Sequence, residues 1–181
     1  MSAATPALSE LTADDFTLFG LPRRFALSLA DLDTRWKQML REAHPDRFAA
    51  QGAAAQRVAM QWSVRINEAY QRLKNPLRRA AYLCELQGVA IQAENNTAMP
   101  AAFLMQQMAW RESLDEATDL AGLETLHDEV SQAHRASLKQ CEQLLDADGD
   151  PAGAAQQVRG LMFIERFLRD VETRMDGVDL R

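Results

Sequence analysis

The chain has 181 residues, of which 47% are hydrophobic and 25% charged, with a net charge of −6. These values are typical of a soluble globular protein and exclude a fibrous or fully disordered one. The charge is uneven, because residues 1–90 carry 12 Lys and Arg against 9 Asp and Glu, whereas residues 91–181 carry 8 against 17. An acidic half repels phosphates, so we expect no nucleic-acid partner, and the asymmetry predicts two units with different partners.

The composition favours an all-α fold, because glycine and proline are scarce while Ala, Leu, Gln, Arg and Glu recur. No apolar run reaches the roughly 18 residues of a membrane span. Residues 1–13 also lack the basic start and apolar middle of a secretory signal. We therefore expect a cytoplasmic protein with no membrane partner. Cys84 and Cys141 form no CxxC pair, which predicts two buried thiols rather than a metal site.

The first half of the chain predicts a disordered tail over residues 1–13 and then one short and three longer helices. The predicted helical ranges are 14–20, 29–43, 53–74 and 76–88. Gly20 ends the first turn, Ser28 caps the second helix, and Pro45 stops that helix because the residue before a proline is disfavoured in the α region. Apolar residues at helical spacing predict that the longer helices are amphipathic.

In the second half, residues 89–99 break the periodicity and predict a linker between two domains. Three further helices are predicted over residues 100–116, 123–145 and 151–175. Amphipathic helices with short connections bury their apolar faces against one another, which predicts an antiparallel three-helix bundle over residues 100–181. The acidic turn 146–150 lacks the glycine position of a calcium loop, so no metal is expected there.

The tripeptide His44-Pro45-Asp46 lies between two amphipathic helices that are expected to be antiparallel. Its proline makes the turn rigid, and a loop can offer a histidine and a carboxylate to another protein. Lys37 and Arg41 precede His44 by seven and three residues, so the three share a helix face. From the residues alone, the alternative is a loop cap beside a solvated basic face.

In this context the motif resembles the J-domain family, whose signature is His-Pro-Asp between the second and third of four helices. The resemblance implies a J domain over residues 14–88, built around a helical hairpin, that docks on a DnaK-type chaperone and stimulates its ATPase. The residues that it assigns to chaperone binding are His44, Pro45, Asp46, Lys37, Arg41 and Arg47. Ala43 and Gln38 depart from the family pattern, which often has an aromatic and a basic residue there.

The resemblance extends over nearly the whole chain from Asp14. The segments that carry it are Phe-Thr-Leu-Phe-Gly-Leu-Pro at 16–22, His-Pro-Asp-Arg-Phe at 44–48, Ile-Asn-Glu-Ala-Tyr at 66–70, the run at 73–83 and Phe-Leu-Met at 103–105. Together they resemble the HscB family, the J-type co-chaperones of bacterial iron–sulfur cluster assembly. This implies an L-shaped pair of domains, with the scaffold IscU and the chaperone HscA as partners.

A second interaction surface is predicted on the helix 100–116. Leu104, Met105 and Met108 are followed along one side by Glu112 and Glu116. Methionine is flexible and polarizable, which suits an adaptable binding surface. An apolar stripe at helical spacing is more often part of a core, and the residues alone leave that alternative open.

For this surface the HscB resemblance implies scaffold binding. The residues that it assigns to the scaffold are Leu104, Met105, Met108, Glu112, Glu116 and Phe163, the last on the final helix. It leaves Phe103, Trp110 and Leu114 as core candidates. Ala109 stands where the family often has a glutamate.

No nucleophile–base pair, glycine-rich phosphate loop or metal site is found in the sequence, which argues against an enzyme and against a bound cofactor. The leading hypothesis is therefore a co-chaperone that delivers a scaffold to its chaperone. The alternative is a helical assembly protein whose degenerate J domain stimulates no ATPase.

Overall fold

A computed structural model describes residues 12–92 and 99–179, and within these ranges all regular secondary structure is helical, as the composition predicts. The helices are α1 Asp15–Leu18, α2 Leu29–Glu42, α3 Ala53–Lys74, α4 Pro76–Leu86, α5 Ala101–Glu116, α6 Leu120–Glu142 and α7 Pro151–Asp179. A 3₁₀ helix, Pro45–Gln51, follows α2, and a π-helical segment, Gln143–Asp148, follows α6. Most of the predicted tail (1–11) and linker (93–98) lies outside the described residues.

The chain forms two compact units that divide between Arg79 and Ala80, within α4. The sequence instead predicts a J domain that continues to Gly88. The later part of α4 belongs to the second unit, where Ala80, Leu83 and Cys84 are buried. The domain boundaries inferred from the sequence remain a prediction.

Side-chain caps set the start of the first helices. Asp14 Oδ1 accepts hydrogen bonds from the backbone N–H groups of Phe16 and Thr17, both at 3.1 Å. Ser28 Oγ accepts one from the N–H of Asp31 at 3.2 Å, which confirms the predicted cap of α2. Gly20, with φ +61°, adopts the left-handed conformation that ends the first turn.

The first unit has an apolar core that contains a buried carboxylate. Leu32 of α2 and Trp62, Ile66 and Leu73 of α3 are all at most 2% exposed. Asp15 is completely buried, and its carboxylate pairs with two arginines of α3. Its Oδ1 lies 2.7 Å from Arg65 Nη2 and its Oδ2 lies 2.8 Å from Arg72 Nη1. The pairing offsets the cost of burying this carboxylate.

The second unit has a core of aromatic and aliphatic residues from three helices. Its buried members are Trp110, Leu126, Val130, Ile164, Phe167 and Val171. The indole of Trp110 and the ring of Phe167 stack with centroids 6.0 Å apart. His127 pairs with Glu172 and His134 with Glu165, at 3.6 and 3.3 Å, so α6 and α7 run antiparallel. The predicted antiparallel bundle is therefore confirmed.

Three predicted helix boundaries in this unit are wrong. The helix predicted over 123–145 is α6, which begins at Leu120 because Asp119 Oδ1 accepts from the N–H of Gly122 at 2.8 Å. The chain then continues as the π-helical segment through the predicted turn, until Gly149 reverses it with φ +63°. The last helix runs to Asp179 rather than to 175.

Candidate interaction surfaces

The His44-Pro45-Asp46 motif begins the 3₁₀ helix. His44 is the N-cap residue, and its Nδ1 accepts a hydrogen bond from the N–H of Asp46 at 3.3 Å. The same nitrogen lies 3.6 Å from Asp46 Oδ2. The two side chains nevertheless face solvent, with 59% of the imidazole and 90% of the carboxylate exposed. The turn thus fixes the backbone that carries both polar groups while leaving the groups accessible to another protein.

Buried residues on either side anchor this exposed turn. Ala43 and Phe48 are 5% and 3% exposed, and the hydroxyl of Ser63 on α3 donates to the carbonyl oxygen of Ala43 at 3.3 Å. Ala43 therefore occupies a core position in this unit, where a small side chain suffices. The sequence predicts the loop but not the 3₁₀ helix within it.

The predicted basic stripe lies on the surface that leads into this turn. Lys37 and Arg41 are exposed on α2, one helical turn apart. Arg47 is exposed as well, and its Nη1 donates to the carbonyl oxygen of Arg41 at 3.3 Å. Gln38, which replaces a basic residue of the family pattern, is exposed and donates to Glu42 Oε1 at 3.0 Å. The structure therefore brings the basic residues and the motif together at the end of α2.

The apolar residues predicted on α5 point into solvent. Leu104 is 43% exposed, and Met105 and Met108 are each 71% exposed. Their exposure is confirmed, and the alternative that they form a core is wrong. Trp110 lies on the other side of α5, only 3% exposed, with its indole N–H donating to Glu129 Oε1 at 2.8 Å.

The acidic residues and the core candidates of α5 also lie where they were predicted. Glu112 and Glu116 are exposed. Phe103 and Leu114 are partly buried and pack against the core cluster, which confirms that they are core residues together with Trp110. The side of α5 that carries the predicted surface is thus distinct from the side that packs.

Phe163 is placed differently from the other predicted scaffold contacts. It is half-buried and packs against the core cluster. Its ring meets Phe103 edge-on and stacks on Phe167, each with centroids 6.0 Å apart, and the guanidinium of Arg111 lies 5.7 Å from its centroid. Met162, its neighbour, is 39% exposed and was missed by the sequence reasoning.

The remaining chemistry of the described residues argues against catalysis through a thiol. Both cysteines are buried and unpaired with each other. Burial raises the pKa of the Cys84 thiol to about 11 and that of Cys141 to about 12, so both stay protonated at neutral pH. Over the same residues, no group of three or more His, Cys, Asp or Glu is placed to hold a metal ion, and no helix is long and apolar enough to cross a membrane.

Known proteins resemble this chain over nearly its whole length. A family model described as the HSCB C-terminal oligomerisation domain matches residues 99–172. A co-chaperone HscB homolog of Bordetella petrii is 50% identical over 163 residues, which cover 89% of this chain and 96% of the relative. The homolog of Burkholderia thailandensis is 48% identical over 167 residues, covering 91% and 95%.

Comparison of the fold with solved structures identifies the same group of proteins. The chaperone HscB from Vibrio cholerae superposes with a TM-score of 0.78 at 36% identity, over 91% of this chain and 99% of that one. The likeness therefore includes both the sequence and the helical architecture. This chain belongs to the HscB family, the non-enzymatic co-chaperones of iron–sulfur cluster assembly.

Proposed function

We propose that this co-chaperone binds the iron–sulfur scaffold IscU through its second unit and delivers it to the DnaK-type chaperone HscA, whose ATPase it stimulates through residues 14–88. A chaperone partner follows from the family. The observation that carries the proposal is the presentation of His44 and Asp46 on a turn with buried anchors. The contact residues on this side are His44, Pro45, Asp46, Lys37, Arg41 and Arg47.

Preorganisation is the physical reason why this turn suits a docking role. A partner that binds a flexible loop must order it, and each immobilised side chain costs roughly 0.5–1.5 kcal/mol. Here Ala43 and Phe48 are already buried, and the N–H of Asp46 is already bonded to His44. The chaperone therefore meets an imidazole and a carboxylate whose backbone is fixed before contact.

The exposed cations of α2 support the choice of an acidic chaperone surface. Charges of this kind chiefly raise the rate of encounter and select the orientation of the complex. Arg47 adds a third cation to the stripe, because its guanidinium reaches back to the carbonyl of Arg41 at the end of α2. The stripe steers the chaperone toward the turn, and the turn makes the specific contact.

The solvent-facing side of α5 is the proposed scaffold site, with Leu104, Met105 and Met108 as its apolar anchors. These three side chains expose apolar surface that a soluble protein otherwise tends to bury. Glu112 and Glu116 continue the same side toward the end of α5 and offer carboxylates to basic residues of the scaffold. Phe163 contributes the part of its ring that its three neighbours leave uncovered.

The proposed site of action is the bacterial cytoplasm. Cys84 and Cys141 are free thiols, as is usual where glutathione and thioredoxin keep cysteines reduced. The bacterial origin of the relatives is consistent with this compartment.

Single-turnover ATP hydrolysis by purified HscA tests the proposal, measured alone, with this protein, with IscU, and with both. We expect faster hydrolysis with this protein and a further increase when IscU is added. Binding of both partners without faster hydrolysis would favour the alternative, a non-stimulating assembly protein. Absence of binding to either partner would contradict both functions.

A further inference from the structure

Two exposed apolar side chains of the first unit, Met60 and Val64, belong to neither surface described above. They lie one helical turn apart on α3 and are 60% and 53% exposed. Exposed apolar residues that stand singly are ordinary, whereas adjacent ones form a patch that marks a candidate binding surface. The position of this pair relative to the basic stripe of α2 therefore matters.

Two hydrogen bonds fix how α3 lies beside α2. The hydroxyl of Ser63 donates to the carbonyl oxygen of Ala43 at 3.3 Å, next to the turn. Further from the turn, the indole N–H of Trp36 donates to Asn67 Oδ1 at 2.9 Å. An earlier residue of α2 thus meets a later residue of α3, so the two helices run antiparallel in a defined register.

The apolar pair lies on the side of α3 that borders α2. Met60, Val64 and Asn67 follow one another at spacings of four and three residues, so they form one stripe along the helix. Asn67, at the end of this stripe, is the residue that contacts Trp36 of α2.

The basic stripe runs beside this apolar stripe. On α2, Lys37 directly follows Trp36, and Arg41 lies one turn further toward the turn of the His-Pro-Asp motif. In the register that the two hydrogen bonds fix, Met60 lies beside that turn and Val64 lies beside Arg41. The cations of α2 and the apolar pair of α3 therefore form one continuous surface.

We propose that Met60 and Val64 are the apolar part of the chaperone-binding surface, where they cover an apolar patch that adjoins the acidic surface of the DnaK-type chaperone. This inference rests on the proposed function. It divides the contact into two parts, because the basic stripe raises the rate of encounter while the apolar pair adds contact area that slows dissociation.

The two parts should respond differently to salt. Salt screens interactions between exposed charges but does not weaken apolar contacts in the same way. On α3 the pair is bordered by two exposed residues of opposite charge, Arg57 three positions before Met60 and Glu68 four positions after Val64. Their charges offset each other, so the contribution of the pair should persist at an ionic strength that removes the contribution of the stripe.

Titration of purified HscA with Met60→Ala and Val64→Ala combined tests the inference. We expect Kd to rise about tenfold at low salt and by a similar factor at about 0.5 M potassium chloride. At saturating concentration the ATPase stimulation should equal that of the wild type, because His44 and Asp46 are unchanged. The melting temperature should also stay unchanged, since both side chains are exposed.

A matched control is Leu29→Ala with Met162→Ala. It removes two exposed apolar side chains, one about 18 Å from Arg41 along α2 and one on the second unit. Its affinity for HscA should equal that of the wild type.

Wild-type affinity of the Met60 and Val64 variant would overturn the inference, as would an equal loss in the control. A loss that disappears at high salt would overturn it too, by showing that the pair acts through the charges around it. Self-association of the wild type that the variant abolishes, with unchanged affinity for HscA, would show that a second copy covers the pair. Binding of the wild type without faster hydrolysis would contradict the proposed ATPase stimulation alone, and the measured affinities would still decide the contact.

Discussion

The two units of this protein both have apolar cores, but they differ in what else they bury and in the surfaces that we propose for their partners. The first buries a carboxylate, Asp15, between two arginines and exposes a polar turn. The second buries stacked aromatic rings and exposes methionines. A polar contact needs a fixed geometry to be specific, whereas an apolar surface of flexible side chains adapts to its partner. In the first unit, buried Ala43 and Phe48 fix the backbone of the turn proposed to contact the chaperone. In the second unit, the proposed scaffold surface consists of flexible side chains on a helix whose other side is packed.

The largest effect is expected from the polar turn. His44→Gln or Asp46→Asn should abolish ATPase stimulation, because each removes a group that the turn presents to the chaperone. Both side chains are exposed, so the melting temperature and the affinity for the scaffold should stay unchanged. Single-turnover hydrolysis, thermal unfolding and scaffold titration on the same variants measure the three quantities. Undiminished stimulation by either variant would break the assignment of the turn.

The apolar surface of the second unit is tested by truncating Leu104, Met105 and Met108 together to alanine. Loss of exposed anchors should weaken scaffold binding by about 2–4 kcal/mol, or roughly 30- to 1,000-fold in Kd. Folding stability should change little, because no buried cavity forms. Isothermal titration with the scaffold and thermal unfolding give the two values.

Trp110→Ala is the matched control on the same helix. The indole is buried, so this change should cost about 3–5 kcal/mol of folding stability. A fall in Tm of the triple variant comparable to that of Trp110→Ala, with scaffold affinity unchanged, would refute the binding surface.

A smaller effect is expected from the basic stripe. Lys37→Ala with Arg41→Ala should slow association with the chaperone about tenfold at low ionic strength, and added salt should reduce the difference. Arg135 and Lys139 form an equally spaced exposed pair on α6, so Arg135→Ala with Lys139→Ala is a charge-matched control. Equal slowing in both double variants would show that net charge alone, and not the stripe, steers the encounter.

The smallest effect is expected on the folding stability of the first unit, from the carboxylate of Asp14. Although partial burial opposes the shift, hydrogen bonds from Arg23 and Thr17 lower the pKa of Asp14 from 3.8 to about 2. A carboxylate with a lowered pKa stabilises the fold above its unfolded pKa, and this contribution is lost as the pH falls toward 2. Asp14→Asn keeps an acceptor for the helix cap but loses the ion pair, so it should cost below about 1 kcal/mol.

Urea unfolding of the wild type and of Asp14→Asn at several pH values measures this contribution. The difference should be full above pH 3.8 and disappear as the pH approaches 2. A difference that stays constant over this range would show that the ion pair with Arg23 contributes nothing to stability.

The sequence by itself determined the helical class, the position of the His44 turn, the cap at Ser28 and the amphipathic character of the long helices. These features depend on local signals: periodicity, capping side chains and proline. Local signals also predicted that Trp110 is buried. Periodicity alone did not decide between core and surface for Met105 and Met108, because both are apolar residues at helical spacing; the resemblance favoured the surface.

Only the tertiary structure decided which apolar side chains pack against other helices of the chain and which stay exposed to solvent. Met105 and Met108 are exposed because α5 turns Trp110 and Phe103 toward the other helices, and Phe163 is half-buried because Phe103, Phe167 and Arg111 converge on it. Asp15 can be buried because Arg65 and Arg72, 50 and 57 positions away in sequence, pair with its carboxylate. The start of α6 at Leu120 and the π-helical segment after it were missed because their hydrogen bonds, not their periodicity, set those boundaries.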